Sequence, residues 1–165
     1  MRELKEKCGV IAAWNIPEAA HITYLGLFAL QHRGQEGAGI IVDDGQKMNG
    51  VRGQGLVNQV FPKGSLTELK GDYAIGHVRY STAGGSVARN LQPLWVESLN
   101  FEISIAHNGN LTNATTLRRQ LESEGSVFQT SSDTEVILHL ISKSKGSFEE
   151  RLKTALTAVE GAYSL

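Results

Sequence analysis

An α+β fold is predicted by three features of the sequence. Short strand-like segments fill its first two thirds, helices with capping signals fill the last third, and no regular strand–helix–strand alternation joins them. Cys8 to Trp14 is a short apolar run that suits a buried strand. Pro17 opens a helix with Ala20, Tyr24, Leu27, Phe28 and Gln31 at helical spacing, closed by Gly34. Gly39–Val42 and Gln46–Arg52, split by Asp43-Asp44-Gly45, read as a hairpin, because Asp-Gly tolerates the positive φ a tight turn needs. Two segments rich in Gly, Pro and Ser follow, around Gly55–Phe61 and Ser65–Gly71.

Tyr73–Tyr80 is the next expected strand, Ser81–Gln92 a glycine-containing loop, and Leu94–Glu97 and Phe101–His107 two further strands. Leu117 and Leu121 carry a helix that stops near Gly125. Ser132 with Glu135, and Ser147 with Glu150, have capping-box spacing and should start the last two helices. Gly161–Leu165 reads as a strand that has barely begun. A half-built strand leaves backbone groups unpaired, so the chain is expected to be part of something longer.

The 165 residues suit one domain with a real core, and 41% hydrophobic against 20% charged residues mark a globular chain rather than a disordered one. Lys plus Arg (16) nearly balance Asp plus Glu (17), so no field favours nucleic acid or an anionic membrane as partner. No apolar run approaches the roughly 20 residues of a membrane span, and Met1–Lys7 is too charged for a secretory signal, so a cytoplasmic location is expected. The sequons at Asn110 and Asn113 would then stay unglycosylated. One cysteine excludes an internal disulfide, a cysteine-rich zinc site and an iron–sulfur cluster held within this stretch alone.

A lone Cys8 beside Gly9-Val10-Ile11 is more often packing than chemistry. Its companions change that reading: Gln31-His32-Arg33-Gly34-Gln35-Glu36, Gly76-His77-Val78-Arg79-Tyr80-Ser81-Thr82, Ala106-His107-Asn108-Gly109-Asn110 and Ser131-Ser132-Asp133-Thr134-Glu135. Each lies where an element begins or ends, where polar groups reach solvent. A thiolate attacking an amide needs a base, donors for the oxyanion, a cation for the substrate carboxylate and an anion for its ammonium. Asn108 and Gly109 can supply a side-chain amide and a backbone N–H, Arg79 a bidentate carboxylate clamp, and Asp133 the anion. That set suits glutamine or asparagine.

The five segments, in this order, resemble the class II glutamine amidotransferase domain of the N-terminal-nucleophile hydrolase superfamily, and within it are similar to the amidophosphoribosyltransferases. The resemblance runs from about Cys8 to Leu165. Gln35-Glu36-Gly37 after the Arg-Gly pair, and Tyr80 after Arg79, favour that subgroup over the glucosamine-6-phosphate synthases; Ala12, where the family usually has Gly, is a mild departure. The resemblance implies an αββα four-layer sandwich, incomplete at its C-terminal end. Cys8 would be the nucleophile, Asn108 and Gly109 the oxyanion hole, Arg79 and Thr82 the substrate-carboxylate contacts and Asp133 the ammonium contact. Arg33 and Gly34 would form a supporting element at the substrate site beside the nucleophile.

In such enzymes the base is the α-amino group of the cysteine itself, whose ordinary pKa of roughly 7.7–8.0 leaves a useful fraction unprotonated. Met1–Lys7 is therefore expected to be a propeptide, with 8–165 as the amidotransferase domain. The resemblance further implies glutamine as substrate and a separate phosphoribosyltransferase domain, absent from this chain, as acceptor of the ammonia. It implies homo-oligomeric assembly at full length, and Mg²⁺, in some members with a 4Fe–4S cluster, only in that further domain. A class II domain serving another synthase and a non-catalytic glutamine-binding module are the alternatives.

Several features have plainer readings. Ile40-Ile41-Val42-Asp43-Asp44 superficially resembles a phosphoribosyl-pyrophosphate loop, but Gly45-Gln46-Lys47 follows, as in a hairpin turn. His32, His77 and His107 lack metal-ligand spacing; the last two suit structural hydrogen bonds near the pocket. Gly53-Gln54-Gly55 is a turn, Lys143–Lys153 a solvated helix face and connection, and Asp133 alone would be a helix N-terminal anion.

Overall fold

The computed structural model describes residues 8–80, 88–98 and 101–165. Two compact units divide the chain between Asn108 and Gly109.

In the first unit an antiparallel sheet forms from β1 (Gly9–Ala13), β2 (Gly37–Asp43), β3 (Met48–Gln54) and β4 (Tyr73–Arg79), in the order β1-β4-β2-β3. Among the described residues β1 is therefore at the edge of that sheet, with Gly9 paired to Val78 and Ala13 to Ala74. The hairpin β2–β3 turns at the Asp-Gly signal. Gly45 has φ +85°, and the Asp43 and Asp44 carboxylates accept the backbone N–H groups of Gly45, Gln46 and Lys47.

One face of the sheet carries Ala38, Ile40, Val42, Ala74 and Val78, all buried. Helix α1 (Ala19–Ala29) packs there, brought close by small residues: a Cβ at Gly76 would meet Thr23 and Leu27, and one at Gly26 would meet Ile11. Short helix α2 (Val57–Val60) adds Val57 to the same core. Single helical turns, at α2 and at Ser65–Glu68, thus fill the two stretches that sequence pattern left without an element. The expected opening helix starts two residues after Pro17 and ends at Ala29. The chain from Gln31 to Arg33 tightens into a 3₁₀ turn before Gly34.

The other face carries Gly37, Gly39, His77 and Arg79, cross-strand neighbours by register. Residues 90–93 lie across it. A Cβ at Gly37 would meet Leu91, one at Gly39 would meet the Gln92 carbonyl, and the Arg52 guanidinium donates to the Pro93 carbonyl (2.9 Å). The hairpin β5 (Leu94–Ser98) and β6 (Phe101–Ile105) continues from there.

The second unit comprises a two-stranded sheet of β7 (Asn108–Leu111) and β8 (Gly161–Ser164), with α3 (Ala114–Ser123), α4 (Thr134–Lys143) and α5 (Phe148–Ala158) between them. The Ser147–Glu150 capping box forms as expected, each residue's side chain accepting the other's backbone N–H. The Ser132–Glu135 box does not. Glu135 is buried, and its carboxylate instead accepts the N–H groups of Gln129 and Thr130 and the Thr130 hydroxyl, at 2.7–2.8 Å. Three preceding donors outcompete one cap donor. None of the described helices is long and apolar enough to cross a membrane.

Candidate active site

The edge position of β1 puts Cys8 opposite the end of β4, and β4 supplies its immediate surroundings. Cys8 Sγ lies 3.5 Å from both the Tyr80 N–H, which donates to it, and the Tyr80 carbonyl, which accepts from it. The thiol is partly exposed rather than sealed in the core.

Arg33 and Gly34 hold this arrangement from the turn after α1. Arg33 Nε donates to the Cys8 carbonyl at 3.0 Å, fixing the backbone of the nucleophile. Gly34 is obligatory for packing: a Cβ there would sit 2.7–2.8 Å from the Arg79 backbone. The turn is stitched further by Gln31, whose amide donates to the Gly34 carbonyl and accepts the Val57 N–H (2.6 Å), and by Glu36 N–H donating to the Arg79 carbonyl (3.1 Å).

Arg79 ends β4 two residues beyond His77, on the face opposite α1. One Nη donates to the Asn90 carbonyl at 3.1 Å, while Nε has no partner among the described residues. The guanidinium is thus oriented by backbone yet keeps donors for a carboxylate. Cys8, Arg33, Gly34 and Arg79 are brought together by two strand ends and one turn.

Beneath Arg79, His77 is buried and faces the His107 backbone. Burial, seconded by the Arg79 charge, pushes its imidazole down to about 3, so it is neutral at physiological pH. Its ring nitrogens make no hydrogen bond of good geometry among the described residues. The His107 backbone N–H donates to Gln92 Oε1 at 2.7 Å. Asn108 follows directly, with its side-chain Oδ1 buried and unpaired among the described residues.

Within the second unit, Gly109 packs against β8: a Cβ would lie 2.5 Å from the Ala162 carbonyl oxygen and the Tyr163 Cβ, so only glycine fits. Asp133 stands at the N-cap position of α4 but makes no cap bond to that helix. Its Oδ2 accepts the Leu111 N–H at 3.0 Å, tying the α4 start to β7 two residues beyond Gly109. The Asp133 side chain thus stands at the start of α4 and is turned to β7. Thr82 and Met1–Lys7 lie outside the described residues. No group of three or more His, Cys, Asp or Glu side chains suited to a metal occurs among the described residues.

Sequence reasoning missed Gln92, and a lone Gln before Pro carries no signal that would have found it.

Comparison with known proteins places the chain in a family. The family model for the glutamine amidotransferase domain matches residues 77–165. The chain is 53% identical, over 99% of its length, to the amidophosphoribosyltransferase of Bacillus subtilis (strain 168), covering 35% of that protein. It is 50% identical, over 98% of its length, to that of Staphylococcus aureus (strain MRSA252), covering 33%. Two solved structures match 93% of the chain. Glutamine phosphoribosylpyrophosphate amidotransferase from B. subtilis, complexed with ADP and GMP, does so with TM-score 0.87 and 51% identity, over 33% of its own length. A structure described as the allosteric regulatory enzyme of purine biosynthesis does so with TM-score 0.90 and 53% identity, over 34%. The chain thus spans about a third of the length of the curated relatives it matches. Its α+β fold is that of the N-terminal-nucleophile hydrolases.

Proposed function

Because the chain belongs to the glutamine amidotransferase domain family, we propose that it hydrolyses glutamine to glutamate and ammonia through a cysteinyl thioester on Cys8. The observation that carries this is the setting of the sulfur, partly exposed at a strand end with the Tyr80 N–H at 3.5 Å and its own carbonyl held by Arg33.

The substrate's α-carboxylate is held by Arg79, with Thr82 as second contact, and its ammonium by Asp133. The Cys8 α-amine takes the thiol proton as Sγ attacks the carboxamide carbon. The oxyanion so formed is met by the Asn108 side-chain amide and the Gly109 N–H, a pair of donors worth several kcal/mol in such sites, at roughly 3–4 for one. Collapse expels ammonia, protonated by the same amine, and leaves the thioester. Water, deprotonated by that amine, then releases glutamate and restores the thiol. The amine must be free for any of this, so Met1–Lys7 is removed as a propeptide in the active protein.

In the longer protein the ammonia serves phosphoribosylamine formation from phosphoribosyl pyrophosphate, in the cytoplasm, on a phosphoribosyltransferase domain outside this chain. That domain would hold the Mg²⁺ and any 4Fe–4S cluster. The names and lengths of the relatives support a further domain and an amidophosphoribosyltransferase reaction. Glutaminase assay of the full-length protein tests the core proposal. Cys8→Ala should abolish glutamate release while leaving the thermal melt intact, and retained turnover would refute it.

A further inference from the structure

Four candidates stand outside the chemistry above. The apolar stripe Ile22, Leu25 and Phe28 on α1 is half exposed, but nothing shows what covers it. Neither the cleft of about 430 Å³ beside Pro17 and Asp72 nor the acidic rim around Asp43, Glu97 and Glu102 has a second observation pointing to a ligand. The segment crossing the second face of the sheet, Asn90 to Gln92, carries more.

This segment is bonded to two different parts of the proposed machinery. The Asn90 carbonyl accepts from the Arg79 guanidinium (3.1 Å), and two residues later Gln92 Oε1 accepts the His107 N–H (2.7 Å). Asn90 and Gln92 are both buried, and the Gln92–His107 bond is wholly buried, out of competition with bulk water. The Gln92 backbone is pinned in turn: its carbonyl presses on Gly39, where a side chain would collide with it, and the neighbouring Pro93 carbonyl takes a hydrogen bond from Arg52 (2.9 Å). The segment is therefore clamped to β2 and β3 and reaches out to Arg79 on one side and to the His107 backbone, next to Asn108, on the other.

We infer that Gln92 is a positioning residue for the glutaminase reaction. It holds the His107 N–H, one peptide before the His107–Asn108 link, and so helps aim the oxyanion donor, while its own chain segment aims Arg79. The inference rests on the reading of Cys8 as nucleophile and Asn108 as oxyanion donor. Substrate-binding and transition-state contacts are set by one rigid strip, rather than by two independent loops. Loss of the Gln92 acceptor leaves a buried N–H unpaired and lets the Asn108 turn drift. Misplacement of a reacting group by about 1 Å can cost on the order of 100-fold in rate. The loss should fall on kcat, because Arg79 keeps its Asn90 contact.

The test uses the full-length enzyme, processed and checked by intact mass. Gln92→Met preserves length and removes the acceptor; Gln92→Glu keeps an oxygen in place. Gln92→Met should lower glutaminase kcat about 10- to 100-fold with KM for glutamine changed less than about threefold. Alkylation of Cys8 by iodoacetamide, which needs no oxyanion donor, should stay within about twofold of the parent. Gln92→Glu should recover most of kcat. A parental kcat in Gln92→Met overturns the inference, as does an equal fall in kcat and alkylation, which would mean general loosening of the fold. Should Gln92→Met not fold, Gln92→Asn withdraws the same amide by one methylene; it should lose about tenfold in kcat, and parental kcat there overturns the inference as well. Cys8→Ala is the separate arm: turnover retained in it removes the glutaminase reading itself, and with it the role of Gln92.

Discussion

Replacing Gly34 by alanine is the sharpest small perturbation the site offers. The added Cβ would lie 2.7 Å from Arg79 C and O and 2.8 Å from its N, whereas ordinary contact begins near 3.4 Å. The obstacle is backbone on both sides, so one strand end must give way by about 0.7 Å (3.4 − 2.7). Overpacking of this kind costs about 1–3 kcal/mol. The displaced atoms belong to Arg79, and the next residue's N–H and carbonyl bracket the Cys8 sulfur. A shift approaching 1 Å there should lower glutaminase kcat/KM by about tenfold or more. Gly45→Ala is the matched control. It meets nothing within 4 Å but forces alanine to φ +85°, at about 1–2 kcal/mol, in a hairpin turn away from Cys8. Steady-state glutamate release and thermal melts on both full-length variants separate the effects. Gly34→Ala should lose stability and turnover, Gly45→Ala stability alone. Parental kinetics in Gly34→Ala, or equal loss of turnover in both, would refute the reasoning.

Arg79→Lys should raise KM for glutamine about 10-fold or more with a smaller change in kcat, because a point charge replaces a bidentate fork; an unchanged KM would remove Arg79 from carboxylate binding. His77 should steepen acid destabilisation. Its folded value near 3 lies below the ordinary 6.5, so as pH falls below about 6.5 the unfolded chain takes up a proton that the folded one refuses. Stability is then lost by about 1.4 kcal/mol per pH unit down to about 3. Urea melts at pH 7 and 5 should show a shallower loss in His77→Gln, and identical losses would contradict it. Glu135→Ala strips the acceptor from three donors, and should cost the second unit about 3 kcal/mol or more, read by denaturant melts; a change below about 0.5 kcal/mol would contradict that.

The legible parts of the sequence were those with a local physical cause. Apolar runs marked β1 and β4, Asp44-Gly45 marked the hairpin, and Ser147 with Glu150 marked the start of α5. Strand β7 was not foreseen as a separate element, since Asn108-Gly109-Asn110 has little strand preference and pairs only because β8 comes close enough to require Gly109. The Ser132–Glu135 spacing misled because spacing is local, while the donors at Gln129 and Thr130 that capture Glu135 reach it only through the folded loop. At the site, Cys8, Arg33, Gly34 and Arg79 stand out through the motifs they belong to, and folding sets the Cys8 backbone on Arg33 and the Arg79 backbone on Gly34. Gln92 has no motif of its own; its part depends on residues 15 and 13 positions away and on a sheet face that exists only after folding.

The central claim is that a freed terminal amine activates the adjoining Cys8 thiol toward glutamine. Intact-mass and peptide analysis of the active full-length enzyme, after inactivation by a diazoketone analogue of glutamine, tests it most directly. The expected product is a chain beginning at Cys8 and carrying one analogue on its sulfur, with dinitrogen lost. Full glutaminase activity in a chain that still bears Met1–Lys7, or a label on any other residue, would contradict it.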